Sequence, residues 1–250
     1  AATLTMDSTN GATLYGASLG YTTANAMSLN KGDIKATGDI SLASTSSSVS
    51  VAAAQNVQST GGNISITAGN GLANAGVVTA DAGDVTARIN GTLNNTGTLH
   101  AHDAMDIADK TNGASETFTN GGTILSDNTL VLKSNAFTNT GSIQATKGGT
   151  LTAGSATNSG TLIVSDNSSY NGTINFLALT NSGTIQSAHD LSLNVLDTLT
   201  NSSKILAAHD LTISRTGTGG TTGWLAINNN TSSGILQAAN TLAIQGVSGD

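Results

Sequence analysis

The chain has 250 residues and a net charge of −7, with 9% charged and 3% aromatic residues and neither cysteine nor proline. Without cysteine it has no disulfide framework and no thiolate site, and its eight Lys and Arg, scattered along the sequence, offer no basic stripe for nucleic acid. No apolar run approaches the roughly twenty residues of a membrane-spanning helix, so no membrane insertion is expected, and residues 1–20 lack the regions of a signal peptide.

Average usage would put roughly a dozen prolines in a chain this long. Proline lacks the backbone N–H that a strand with neighbours on both sides must donate, so its absence points to a chain made almost entirely of central strands. Thirty glycines, with abundant Ser, Thr and Asn, supply the turns.

In chain order, IKATGDISL (Ile34–Leu42) and VQSTGGNISI (Val57–Ile66) are the first segments to share a common pattern. From residue 72 the pattern becomes a unit with an asparagine anchor and apolar residues at even offsets. Asn95 carries Leu93, Leu99, Met105 and Ile107; Asn120 carries Phe118, Ile124, Leu130 and Leu132. Asn181 carries Leu179, Ile185, Leu191 and Leu193, and Asn201 carries Leu199, Ile205, Leu211 and Ile213. The units at Asn74 (Leu72, Val78, Val85) and Asn139 (Phe137, Ile143, Leu151) fit with one residue inserted before their last strand. The unit at Asn158 keeps Leu162, has only Ala156 before the anchor, and then drifts.

Even spacing within short runs is the signature of strand, and recurrence every 19 to 25 residues is that of a solenoid. The reading is all-β: a parallel β-helix (β-solenoid) of about 20-residue coils, each paired with the coils above and below at about 4.8 Å. About eleven coils would make a rod roughly 50 Å long. One continuous fragment is expected over 1–250, with diverged coils in 1–71, regular repeats in 72–213, and an insertion loop plus a last coil in 214–250. Longer units predict loops at Asp109–Thr117 and Ser214–Asn230.

Equal spacing turns a repeated residue into a column. Asn74, Asn95, Asn120, Asn139, Asn158, Asn181 and Asn201 form a structural ladder in which stacked amides bond to each other or to the turn backbone. Glycine two positions later (Gly76, Gly97, Gly122, Gly141, Gly160, Gly183) is expected to supply a positive φ, and Ser203 interrupts it. Small residues at the sixth position, Ala80, Ala101, Ser126, Ala145, Ser187 and Ala207, suit a narrow tube. His189-Asp190 recurs as His209-Asp210, and His102-Asp103 is placed at the same offset in a third coil. Imidazole and carboxylate both ligate zinc, but the position precedes a strand and is filled elsewhere by turn formers, so it is read as a turn and no metal or cofactor is assigned. Trp224, the only tryptophan, lies with Arg215 in the longest glycine-rich insertion, and the two are the candidate partner contacts.

The unit LTNSGTIQSAHDLSL (Leu179–Leu193) and its variant FTNTGSIQAT (Phe137–Thr146) resemble the haemagglutinin repeat of filamentous haemagglutinin and of contact-dependent inhibition exoproteins. The resemblance covers residues 72–213 and, more loosely, 31–71 and 231–246. It implies a right-handed parallel β-helix serving as the shaft of a large exoprotein, exported through an outer-membrane two-partner-secretion transporter and displayed on a Gram-negative cell. The family's secretion domain carries Asn-Pro motifs, so a proline-free segment resembles shaft rather than export signal. The expected function is structural and not enzymatic, the shaft projecting a binding or toxic tip. The alternative is direct adhesion of its loops to a receptor or glycan. A pectate-lyase-like enzyme is disfavoured by a single glutamate, Glu116, and by sparse aromatics and cations.

Overall fold

A computed structural model describes the backbone of residues 4–7 and the whole of residues 13–215 and 225–245. Every regular element among the described residues is a β-strand, and the strands pair in parallel. Among the described residues no helix is long and apolar enough to cross a membrane. The protein is a β-solenoid. It divides into two compact units, residues 1–128 and 129–250.

In the first unit each regular coil has three short strands. One coil runs through Leu72–Asn74, Val77–Ala80 and Val85–Ile89, and the next through Thr92–Asn95, Thr98–Ala101 and Met105–Ala108. Leu72 pairs with Leu93, Val78 with Leu99 and Val85 with Met105, so equivalent residues lie directly over one another. The earlier, less regular segments obey the same register: Ile34 pairs with Val57 and Ile40 with Ile64.

In the second unit the last strand of one coil runs straight into the first strand of the next. The products are Leu130–Asn139, Gly149–Asn158, Gly172–Asn181 and Leu191–Asn201, each ten or eleven residues long. The difference has a local cause. In the first unit Gly71 and Gly91 sit at φ of 123° and 88° between the two strands, a left-handed turn that breaks the ladder. Phe137 and Leu179 are reached without such a glycine, and the strand continues.

Burial alternates at every second residue along Leu191–Asn201, which sends Leu191, Leu193, Val195 and Leu199 into the core. The core is filled by exchange of volume between neighbouring coils. Phe137 pairs with Ala156 and Phe176 with Ala153, and the two phenylalanine rings stack with centroids 5.8 Å apart over the room the alanines leave. That exchange explains why the unit at Asn158 has only alanine before its anchor. The sixth-position residues are buried, and the serines among them turn their hydroxyls to turn carbonyls, Ser126 to Asp103 at 2.8 Å and Ser187 to Asp190 at 2.9 Å.

Two sequence expectations are corrected. The unit at Asn139 carries no insertion, because Gly149 pairs with Leu130 and takes the apolar position itself, putting Leu151 against Leu132. Its neighbour Gly172 yields its space to Val164, whose side chain lies 2.2 Å from where a Cβ would stand. Val164 is there because the strand bulges between Ile163 and Ser165. The glycines two after the asparagines do not have positive φ, which is confined among the described glycines to Gly32, Gly71, Gly91 and Gly148. They are needed for close approach: a Cβ on Gly97 would lie 2.0 Å from the carbonyl oxygen of Gly76, and one on Gly183 2.1 Å from that of Gly160.

Gly97→Ala must therefore push two coils apart. It should lower stability by at least about 2 kcal/mol, read from the urea midpoint, whereas Asn94→Ala on the exposed side of the same strand should stay within about 0.5 kcal/mol.

Candidate functional site

The polar side chains of the repeat converge on two tiers. The first is the asparagine column, placed at the inward-facing end of a strand where the chain turns. In the first unit Asn74 Nδ2 donates to Asn95 Oδ1 at 2.8 Å and Asn95 Nδ2 to Asn120 Oδ1 at 2.7 Å. In the second, Asn139 donates to Asn158, Asn158 to Asn181 and Asn181 to Asn201, each at 2.8 Å. All seven amides are buried. Each has two N–H groups to satisfy, and for Asn95, Asn139, Asn158, Asn181 and Asn201 the amide also lies against carbonyls of its own turn and of the next coil; for Asn158 these are Gly160 at 3.3 Å and Thr184 at 3.2 Å. An amide suits the position because it donates and accepts in one planar group, so identical residues bond head to tail along the stack.

The ends of the column show what each member contributes. Asn74 pairs with Val51, which offers no donor, and Asn74 Oδ1 is buried without a hydrogen bond. At the other end the column runs one residue further than the sequence reading took it: Asn201 Nδ2 donates to Asn229 Oδ1 at 2.8 Å, and Asn229 Nδ2 turns to the Gly234 carbonyl. Asn229 lies in the run Asn228–Asn230, where sequence alone cannot select the register, and beyond an insertion that upsets the spacing. At Ser203 the glycine rule is broken at a measurable cost. Elsewhere that residue's N–H reaches the asparagine of the previous coil, as Gly183 reaches Asn158 at 3.1 Å, but Ser203 N–H turns to Asn201 Oδ1 at 3.4 Å, and the following Lys204–Gly183 bond lengthens to 3.2 Å.

The second tier lies immediately before the last strand of the coil. Asp39 Oδ1 accepts the Asn63 N–H, Asn63 Oδ1 the Asp84 N–H and Asp84 Oδ1 the Ala104 N–H, each at 2.8 Å. In the second unit Asp190 Oδ1 accepts the Asp210 N–H at 3.2 Å and Asp210 Oδ1 the Thr241 N–H at 2.9 Å. The aspartates thus perform the turn role expected of the His-Asp pairs. His102-Asp103 is not the same pair, because Ala104 stands between it and the strand Met105–Ala108 and receives the bond from Asp84. The sequence offset was one residue out. His102 instead leans on Asp127 at 3.5 Å, beside His100, whose Nε2 lies 3.0 Å from the same carboxylate.

His189 and His209 stack, ring centroids 4.9 Å apart and 11° from parallel. His189 Nδ1 lies 2.7 Å from Asn171 Oδ1 and His209 Nδ1 2.6 Å from Asp190 Oδ1. The Asp190 bond raises His209 above its ordinary 6.5, against a smaller opposing effect of burial. For Asp190 burial pushes the pKa up, but the bonds from His209 and Asp210 and the charge of both imidazoles together outweigh it and hold the carboxyl below 3.8.

The predicted loop at Asp109 leaves the wall between the strands Met105–Ala108 and Thr117–Asn120. It is organised by Asp109, which sequence reading had not singled out. Oδ1 accepts from Thr111 N, Thr111 Oγ1 and Gly113 N at 2.6–2.8 Å, and Oδ2 from Ser115 Oγ at 2.7 Å. Those bonds, Thr111 first, lower its pKa far below the usual carboxylate range. Arg215 donates through Nε to the Leu196 carbonyl at 2.8 Å and so braces the previous coil, while Trp224 lies outside the described residues. Tyr15, 75% exposed, stands over a shallow groove with Lys35, Thr37 and Gln58, which no motif or repeat in the sequence marks out. No protein-family model, curated protein or solved structure matches the chain.

Asn158→Ala should cost about 2–4 kcal/mol by urea denaturation, because it leaves the Asn139 amide and the Asn181 Oδ1 without their partner inside a buried column. For the second tier, His209 stabilises the fold below pH 6.5 and loses that contribution as pH rises through its raised pKa. Asp190 contributes above pH 3.8 and loses it as pH falls through its lowered pKa, so the pair is fully formed between those two values. An NMR titration should place His209 above 6.5, and Asp190→Asn should bring it down.

Proposed function

We propose that this chain is a structural shaft segment of a large secreted bacterial exoprotein of the filamentous haemagglutinin or contact-dependent inhibition kind. It is exported by an outer-membrane two-partner-secretion transporter and projects a distal binding or toxic domain from a Gram-negative cell surface. The observation that carries the reading is where the polar groups go: the repeated asparagines and most turn aspartates bond to the neighbouring coil rather than to a shared cleft. Coils joined by such bonds and by parallel backbone pairing add length without needing a deep core. The repeat unit Leu179–Leu193, with its resemblance to the haemagglutinin repeat, supports the cellular setting.

A direct adhesive role has one specific feature in its favour, the exposed Tyr15 ring beside Lys35 and Gln58, since an aromatic face flanked by polar groups suits a sugar ring. A glycan array probed with the purified chain and with Tyr15→Ala and Trp224→Ala variants separates the two. A shaft gives no signal above a scrambled-sequence control. Specific binding that disappears in either variant overturns the passive role and makes the segment an adhesin.

A further inference from the structure

Aspartate or asparagine alone is enough for the turn before the last strand, since Asp39, Asn63 and Asp84 form it next to Gly38, Gly62 and Gly83. His189 and His209 are therefore surplus to the turn. They occur on consecutive coils at one position, which the register fixes: Leu191, just beyond His189-Asp190, pairs with Leu211, just beyond His209-Asp210. The rings stack on one another beside the Asp190 carboxylate, both of them partly exposed. Oδ1 of Asp190 is 2.6 Å from His209 Nδ1 and 3.5 Å from His189 Nδ1, and one ligand atom from each of the three residues lies within 4.8 Å of the others.

We propose that His189, Asp190 and His209 bind one divalent transition-metal ion through the two Nδ1 nitrogens and the carboxylate. Two imidazoles and one carboxylate form a borderline donor set that suits zinc or copper rather than calcium or magnesium, which prefer all-oxygen shells. One of the three donor separations already matches what such an ion requires, and the two stacked rings, 11° from parallel, must turn out of their stack for both Nδ1 lone pairs to meet at the ion. Bonds of about 2.0–2.2 Å at tetrahedral angles put neighbouring donors roughly 3.3–3.6 Å apart. The His189–Asp190 separation of 3.5 Å is already in that range. The His209–Asp190 separation of 2.6 Å is that of a shared proton, and an ion replacing that proton widens it by a rotation of one exposed ring.

Asp190 is held in place by the Asp210 N–H, so the oxygen is pre-positioned whether or not an ion is present. Binding exchanges the 2.7 Å contact of His189 Nδ1 with Asn171 for a bond to the metal and moves the imidazole proton to Nε2. Water completes the shell on the open side. Because the ligands come from two coils, the ion is a clip between them, and it stabilises the fold by binding the native form alone.

Zinc titrated calorimetrically into the intact chain at neutral pH should show one site. His189→Ala and His209→Ala should each weaken it at least tenfold, as should Asp190→Asn, while His100→Ala leaves it unchanged. Far-UV circular dichroism of these exposed-site variants controls for folding. Electron paramagnetic resonance of the copper-loaded protein should report two nitrogen ligands, falling to one in either histidine variant, and zinc should raise the thermal midpoint of the parent but not of the double histidine variant. Equal affinity in the parent and the double variant, or an unchanged nitrogen count in His209→Ala, overturns the proposal.

Discussion

Within each unit a described strand residue is stacked, about 4.8 Å away, on its counterpart in the next coil, and whatever occupies such a position must tolerate its own repetition. Leucine, isoleucine and valine satisfy that condition by packing, as Leu191, Leu211 and Leu242 do in successive partnership. Asparagine satisfies it by donating and accepting at once. Proline fails it because both faces of the backbone are committed to hydrogen bonds, and a column of like charges fails it by repulsion. The missing proline and the 9% charged content are thus one constraint seen twice. Where the coils come closest, beside the asparagines, even a methyl group is too large, as the 2.0 Å gap at Gly97 illustrates.

Much of this was legible in the sequence because the constraint writes itself as periodicity. The asparagine anchors and the Leu-x-Leu strands appear at fixed offsets, and their spacing alone defines the coil. What escaped was decided between coils rather than within one. Gly149 looked like an insertion because the repeat expects an apolar side chain there, and only its pairing with Leu130 reveals that it holds the place. The glycine beside each asparagine suggested a turn conformation, when its real neighbour is a carbonyl a whole coil away. His102-Asp103 matches His189-Asp190 in composition but stands one residue further from its strand, behind Ala104. Asp109 had no repeated counterpart to draw attention to it, since its five short-range bonds serve a single loop.

The same logic separates architecture from chemistry. A side chain that repeats and points inward, or bonds to the next coil's backbone, is spent on the fold: the asparagine column, the sixth-position serines and the aspartates before the strand. A side chain that repeats without such a partner, or interrupts a column, is free for something else. The imidazoles of His189 and His209 meet the first description, and they lie on the outer surface, as does the exposed ring of Tyr15. With nearly all of its repeated polarity put to internal use, the solenoid leaves few places among the described residues where a ligand or ion finds a set of convergent groups.

The central claim, that equivalent residues of successive units lie in register, is open to direct measurement because the chain contains no cysteine. Thr157 and Thr180 are register partners on the exposed face, whereas Ala178 pairs with Ser155, two residues away. Cysteines placed at 157 and 180 should oxidise to a disulfide readily, while cysteines at 157 and 178 should resist, since that pair lies beyond the span of a disulfide. Equal rates of closure for the two pairs, or faster closure for the second, would mean that the coils do not stack as described.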